Sequence, residues 1–128
     1  MRLLLDTCSF LWLFTGDSQL SGEASAAIRN ASNPVFLSPV SAWEIAVKHA
    51  TGRLILAEPP LRLVPRMREI HGIEPLLLNE SSALEANRLP LLHRDPFDRM
   101  LICQAIVHVL TIVTPDPQIQ QYSVRTLW

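Results

Sequence analysis

The chain has 128 residues, 48% of them apolar and 18% charged. That length predicts one domain, residues 1–128, burying roughly two-thirds of its unfolded surface with no disulfide or metal needed to hold a core, and the composition excludes a disordered chain. A net charge of -1, with Lys48 the only lysine among eleven basic residues, excludes a globally basic nucleic-acid footprint, so any nucleic-acid contact has to come from local clusters.

The pattern alternates short apolar strands with amphipathic helices. Leu3 to Leu5 reads as a buried strand ending at Asp6, and Cys8 to Phe14 as a helix that is apolar nearly all round. Gly16-Asp17 breaks it. Ser21 caps a second helix, Glu23 to Ala31, with Glu23 near its positive end. Asn33-Pro34 is a turn signal, and Val35 to Leu37 is the second strand. Ser38-Pro39 starts a helix, with Pro at the first helical position. Val40, Trp43, Val47 and Ala50 follow at helical spacing, and Gly52 ends the run. After Glu58-Pro59-Pro60, residues Leu61 to His71 read as a helix that Pro65 must start or kink, closed by Gly72. Ile73 to Leu78 is a third strand. Asn79 caps a short helix to Arg88, and Leu89-Pro90 starts a loop. Asp95-Pro96 opens a helix running to about His108. Thr111 to Val113 is the fourth strand, followed by a helical turn after Pro117 and a last strand, Val124 to Leu127. Strands separated by helices imply right-handed crossovers and a central parallel sheet covered on both faces, a three-layer α/β/α domain.

Cys8 and Cys103 each sit in an apolar stretch and read as buried free thiols of a reducing compartment. Neither has a Cys-x-x-Cys or a Cys/His metal spacing. The acid at Asp6 arrives too early for a secretory signal, and the longest uninterrupted apolar run, Phe10 to Phe14, is far below the ~20 residues that span a bilayer. The expectation is a soluble cytoplasmic protein with no membrane partner.

Ligands of open parallel sheets bind at the carboxyl ends of the strands. Asp6 ends the first strand, Glu44 lies in the second turn after the second, Asp98 in the first turn of the helix preceding the fourth, and Asp116 just after the fourth. Topology gathers all four carboxylates at one rim. Clustered carboxylates repel one another unless a cation joins them, and Mg²⁺, with its preference for oxygen ligands, suits both the cluster and phosphate chemistry. Each acid also has an ordinary structural use: Asp6 as a helix cap, Glu44 as a helix ion pair with Lys48, Asp95 as a cap ahead of Asp98, Asp116-Pro117 as a turn. Other chemistries lack their parts. There is no Gly-rich phosphate loop, no Gly-x-Ser-x-Gly elbow, and no zinc spacing among His49, His71, His93 and His108. His108 reads as a core residue; His93 is the only histidine near the rim.

The blocks Leu3-Leu4-Leu5-Asp6-Thr7, Ser41-Ala42-Trp43-Glu44-Ile45-Ala46-Val47-Lys48, His93-Arg94-Asp95-Pro96-Phe97-Asp98-Arg99 and Thr114-Pro115-Asp116-Pro117 together resemble a PIN domain, more narrowly the VapC-type ribonuclease toxins of type II toxin–antitoxin pairs. The resemblance spans the whole chain, and the Asp-Pro-Phe-Asp-Arg block is its most specific part. It implies a metal-dependent endoribonuclease that hydrolyses RNA with Mg²⁺ or Mn²⁺. Asp6, Glu44, Asp98 and Asp116 match the metal carboxylates. Thr7 and Thr114 match hydroxyls that orient them, and Asp95 an acid behind them. Arg94 and Arg99 flank the third acid and are expected to steer RNA phosphate. Cys8 and Pro115 depart from the family, where histidine and a basic residue are common. A cognate antitoxin and a homodimer are the implied partners. The surplus apolar surface of Phe10 to Phe14 is the expected contact. Two other classes stay open: a phosphoaspartate receiver or phosphatase, disfavoured because Thr7 and Cys8 rather than a second acid adjoin Asp6, and a non-catalytic RNA- or protein-binding module on the same fold.

Overall fold

Three consecutive leucines place the first strand at the centre of the sheet. In the computed structural model, which describes all residues from Met1 to Trp128, β1 (Leu3–Leu5) is wholly buried and pairs in parallel with β2 (Val35–Leu37) on one side and β4 (Thr111–Val113) on the other. The sheet order is β3-β2-β1-β4-β5, all parallel, with β3 (Glu74–Pro75) and β5 (Thr126–Leu127) as short edges. Side chains alternate across a strand, so Leu3 and Leu5 point to one face and Leu4 to the other. Each face carries its own apolar cluster. Leu3 and Leu5 join Phe10, Ala24, Ile28, Ile45 and Val64. These come from α1 (Thr7–Thr15), α2 (Gly22–Arg29), α3 (Pro39–Ala50) and α4 (Pro60–Ile70). Leu4 joins Leu101, Ile102, Ile112, Ile119 and Tyr122. This second cluster is covered by α5 (Glu80–Glu85), α6 (Pro96–His108) and α7 (Pro117–Gln120). The result is three-layer α/β/α, as the alternation of strands and helices predicts. No helix is long and apolar enough to cross a membrane.

Helix termini follow local chemistry. Asp6, Ser21, Ser38, Asn79, Asp95 and Asp116 each cap a helix by accepting a backbone N–H. Gly16 ends α1 at φ 67°, a left-handed conformation that suits glycine. At the end of α6 the same conformation falls on Val109, at φ 54°, where a β-branched residue is strained.

Several expectations need correction. The third strand is two residues long, because Pro75 offers no N–H and the edge position tolerates it; Leu77 and Leu78 are exposed. Helix α4 runs through Pro65 without ending. The buried face of α3 is Val40, Ser41, Glu44 and Ile45, whereas Trp43 is 59% exposed. The apolar surplus of α1 is largely absorbed: Phe10 and Leu13 are buried, Leu11 and Phe14 pack on the same cluster, and Trp12 meets Trp128 edge-on. His108 is half-buried near Ser82.

Candidate active site

Parallel strands all deliver their carboxyl ends to one edge, and α3 and α6 begin there too. Asp6, Glu44, Asp95, Asp98 and Asp116 consequently line one cleft of about 140 Å³, together with Thr7, Cys8, Lys48 and Pro115. Lys48 is the one cation on its wall. The four acids predicted to meet do share this cavity, and Asp95 joins them.

Their structural and chemical uses coexist, because capping occupies one carboxylate oxygen. Asp6 Oδ1 accepts from Ser9 N at 2.8 Å, Asp95 Oδ1 accepts from Phe97 N and Asp98 N, and Asp116 Oδ1 accepts from Gln118 N. For Asp95 and Asp116 the second oxygen has no hydrogen-bond partner in the protein, whereas Asp6 also meets the Thr114 hydroxyl. Three helix starts thus converge on the cleft, and their amides hold the acids in fixed orientations. Glu44, only 5% exposed, is gripped from both sides. Thr7 Oγ1 donates to its Oε1 at 2.6 Å and Lys48 Nζ to its Oε2 at 2.5 Å. Thr114 Oγ1 accepts from Asp116 N and its hydroxyl also lies against Asp6.

The electrostatics record the crowding. Burial pushes the Asp6 carboxyl above its ordinary range, with Asp116 adding repulsion against the hydrogen bonds of Ser9 and Thr114. Asp98 is pushed up to about 6, first by burial and next by Asp95, while His93 pulls it down. The hydrogen bond to Glu44 raises Lys48. Cys8 is exposed at this rim rather than buried as expected, and burial of its sulfur region together with the charges of Asp6 and Glu44 pushes its thiol up to about 11. Cys103 is buried as predicted.

Around the cleft, four further residues have definite placements. The Arg99 guanidinium donates to Pro90 O, Leu89 O and Tyr122 Oη, which ties the 89–93 loop to α6, and Arg99 is not among the residues lining the cleft. Arg94 is exposed, with no hydrogen bond or ion pair. His93 Nε2 stands 3.1 Å from Asp98 Oδ2, and its Nδ1 is 2.8 Å from Tyr122 Oη. The proximity of His93 to the acids in sequence was the only signal of this contact. Tyr122 gave none, being distant in the chain.

The donor set fits a hard divalent cation: oxygens only, mostly carboxylate, two of them with pKa values raised by burial and mutual repulsion that a cation would relieve. In this arrangement no three of these acids, histidines or cysteines stand close enough to grip one ion together, so an entering cation would have to draw their oxygens inward.

Comparison with known proteins bears on the family and the fold. Residues 3–124 match the PIN domain family. A stretch of 60 residues is 38% identical to Ribonuclease VapC16 of Mycobacterium tuberculosis, covering 46% of this chain and 42% of that relative's length. The fold is similar to a chain of VapBC2 from Rickettsia felis bound to a DNA fragment from its promoter, with TM-score 0.71, 12% identity, and 99% and 98% of the two chains covered. It is also similar to VapBC-5 of Mycobacterium tuberculosis, a member of the VapBC family of toxin-antitoxin systems, with TM-score 0.63, 16% identity, and 98% and 97% covered. With the family matched over nearly its whole length, this chain belongs to the PIN domain family.

Proposed function

We propose that residues 1–128 act as one domain, a Mg²⁺- or Mn²⁺-dependent endoribonuclease serving as the toxin of a type II toxin–antitoxin pair. The observation that carries the reading is the convergence of five carboxylates on one small cleft that contains a single lysine. Asp6, Asp98 and Asp116 would hold the cation, and Glu44 a second ion or the attacking water. When bound, the cation supplies neutralisation of phosphoryl charge and Lewis acidity.

The chain's own residues do the positioning. Ser9 N and Thr114 fix Asp6, Thr7 and Lys48 fix Glu44, and Asp95 fixes the first turn from which Asp98 projects. Arg94, exposed and unpaired beside the cleft, steers the RNA backbone toward it. Hydrolysis in this arrangement leaves a 5′-phosphate and a 3′-hydroxyl. The name of the relative, Ribonuclease VapC16, and the toxin-antitoxin complexes that share the fold support an RNA substrate and an antitoxin partner. A homodimer is the second proposed association. The exposed apolar cleft between α3 and α4, about 380 Å³ and lined by Trp43, Ala46, Leu61 and Val64, offers such a partner a surface.

The spacing of the acids, no three of which stand close enough to grip one ion, favours one other reading, a non-catalytic RNA- or protein-binding module. One assay separates the two. Purified protein is incubated with total RNA, with Mg²⁺, with Mn²⁺ and with a chelator, beside Asp6→Asn. Discrete cuts that need the ion and Asp6 support the nuclease. RNA bound and left intact under every condition supports the binding module.

A further inference from the structure

The hydrogen-bond inventory around Tyr122 fixes the proton of His93. Tyr122 is 4% exposed, and its hydroxyl has three protein partners. It receives two N–H groups: His93 N at 3.1 Å and Arg99 Nη1 at 3.0 Å. A phenol oxygen has two lone pairs and one proton. Both lone pairs are taken, and the remaining contact, His93 Nδ1 at 2.8 Å, has to receive the phenol proton. A proton on Nδ1 would instead make a third donor aimed at the same oxygen. Nδ1 is therefore the acceptor, and the imidazole carries its hydrogen on Nε2. That hydrogen points at Asp98 Oδ2, 3.1 Å away.

We propose that His93 is a positioning residue for the cleft: Tyr122 and Arg99 lock its Nε2–H tautomer, which donates to Asp98 Oδ2 and leaves Oδ1 to a divalent cation. The inference rests on the reading of Asp98 as a cation-holding carboxylate. Asp98 sits on α6, but nothing on α6 itself fixes its outer oxygen. The partner comes from the 89–93 loop, which Arg99 ties back to the same helix through Pro90 O and Leu89 O. Helix, loop and carboxylate form a closed circuit, so the direction of Asp98 depends on residues that never touch substrate. Loss of such an outer partner commonly costs about 10–100-fold in metal affinity.

Two substitutions divide the histidine's two contacts. Asparagine at 93 can still accept from Tyr122 Oη with its amide oxygen but is too short to reach Asp98. Glutamine reaches Asp98 with its amide N–H but does not keep the Tyr122 contact. The intact chain is titrated with Mn²⁺ alone, by calorimetry. His93→Asn is expected to weaken binding by about 10–100-fold, while His93→Gln stays near wild type and loses thermal stability instead. A merely structural histidine gives the reverse order, which overturns the proposal. Imidazole ¹⁵N spectra give an independent readout: wild type shows the Nε2–H form, and Tyr122→Phe loses that bias. A proton on Nδ1 in wild type overturns the proposal whatever the nuclease assays give. Wild type that binds no Mn²⁺ overturns both this role and the cation reading, whereas Mn²⁺ binding unchanged in His93→Asn overturns the role of His93 alone.

Discussion

Replacing Asp98 by Asn should stabilise the fold while abolishing cleavage. The carboxyl is displaced from its usual 3.8 to about 6, by burial first and by Asp95 next. That displacement corresponds to roughly 3 kcal/mol, and solvent at the cleft mouth reduces it to about 1–2 kcal/mol. Asn keeps the acceptor for His93 and removes the charge. For a domain of this size the gain raises Tm by about 3–10 °C. The pH dependence follows from the direction of the shift. Between the unfolded value of about 4 and the folded value of about 6, the folded chain binds more protons than the unfolded chain, so wild-type stability falls as pH rises through that window and is level above it. The advantage of Asp98→Asn is therefore complete above pH ~6 and disappears near pH ~4. Urea midpoints in chelator, measured from pH 4.5 to 7.5, read it directly. A variant no more stable than wild type at pH 7.5, or one equally favoured at both ends, refutes the reasoning.

Asp6→Asn retains the cap to Ser9 N and removes a charge that burial disfavours, so at pH 7 it should be at least as stable as wild type, whereas Asp6→Ala also loses the cap, worth about 1 kcal/mol, and falls below Asp6→Asn; both lose ion-dependent cleavage, and matched denaturation curves separate cap from chemistry. Val109→Gly relieves the left-handed strain at an exposed site and should gain about 1 kcal/mol by chemical denaturation; a loss would show that Val109 packs better than its exposure implies. Cys8, with its thiol held up at about 11, should alkylate about 10-fold more slowly than a free cysteine at pH 8, and Mn²⁺ should speed the reaction by neutralising Asp6 and Glu44. Iodoacetamide rates followed by mass spectrometry decide this, and a rate that ignores Mn²⁺ contradicts a cation beside Cys8.

What the sequence makes legible is local chemistry and period. The apolar runs Leu3–Leu5, Val35–Leu37 and Thr111–Val113 are strands with those bounds, and the caps at Asp6, Ser21, Ser38, Asn79 and Asp95 begin helices. Given a parallel sheet, the meeting of Asp6, Glu44, Asp98 and Asp116 at one edge follows from topology. Failures arise where the packing partner decides. Trp43 has helical spacing with Val40 and Val47, yet the face of α3 that is buried carries Val40, Ser41, Glu44 and Ile45 and leaves Trp43 exposed. Leu77 and Leu78 look like strand interior but lie past an edge strand that Pro75 cuts short. The three acceptors of Arg99, two from the 89–90 backbone and one from Tyr122, are foretold by no local pattern.

The central claim is that these carboxylates cut RNA. The most direct measurement is expression of the chain alone in a bacterial host, with Asp6→Asn and Asp98→Asn at equal levels, followed by growth and mapping of new 5′-phosphate RNA ends. The account predicts growth arrest with discrete new ends in wild type and neither in the two variants. New ends of equal abundance in Asp98→Asn, or abundant folded wild-type protein with unimpaired growth and no new ends, would contradict it.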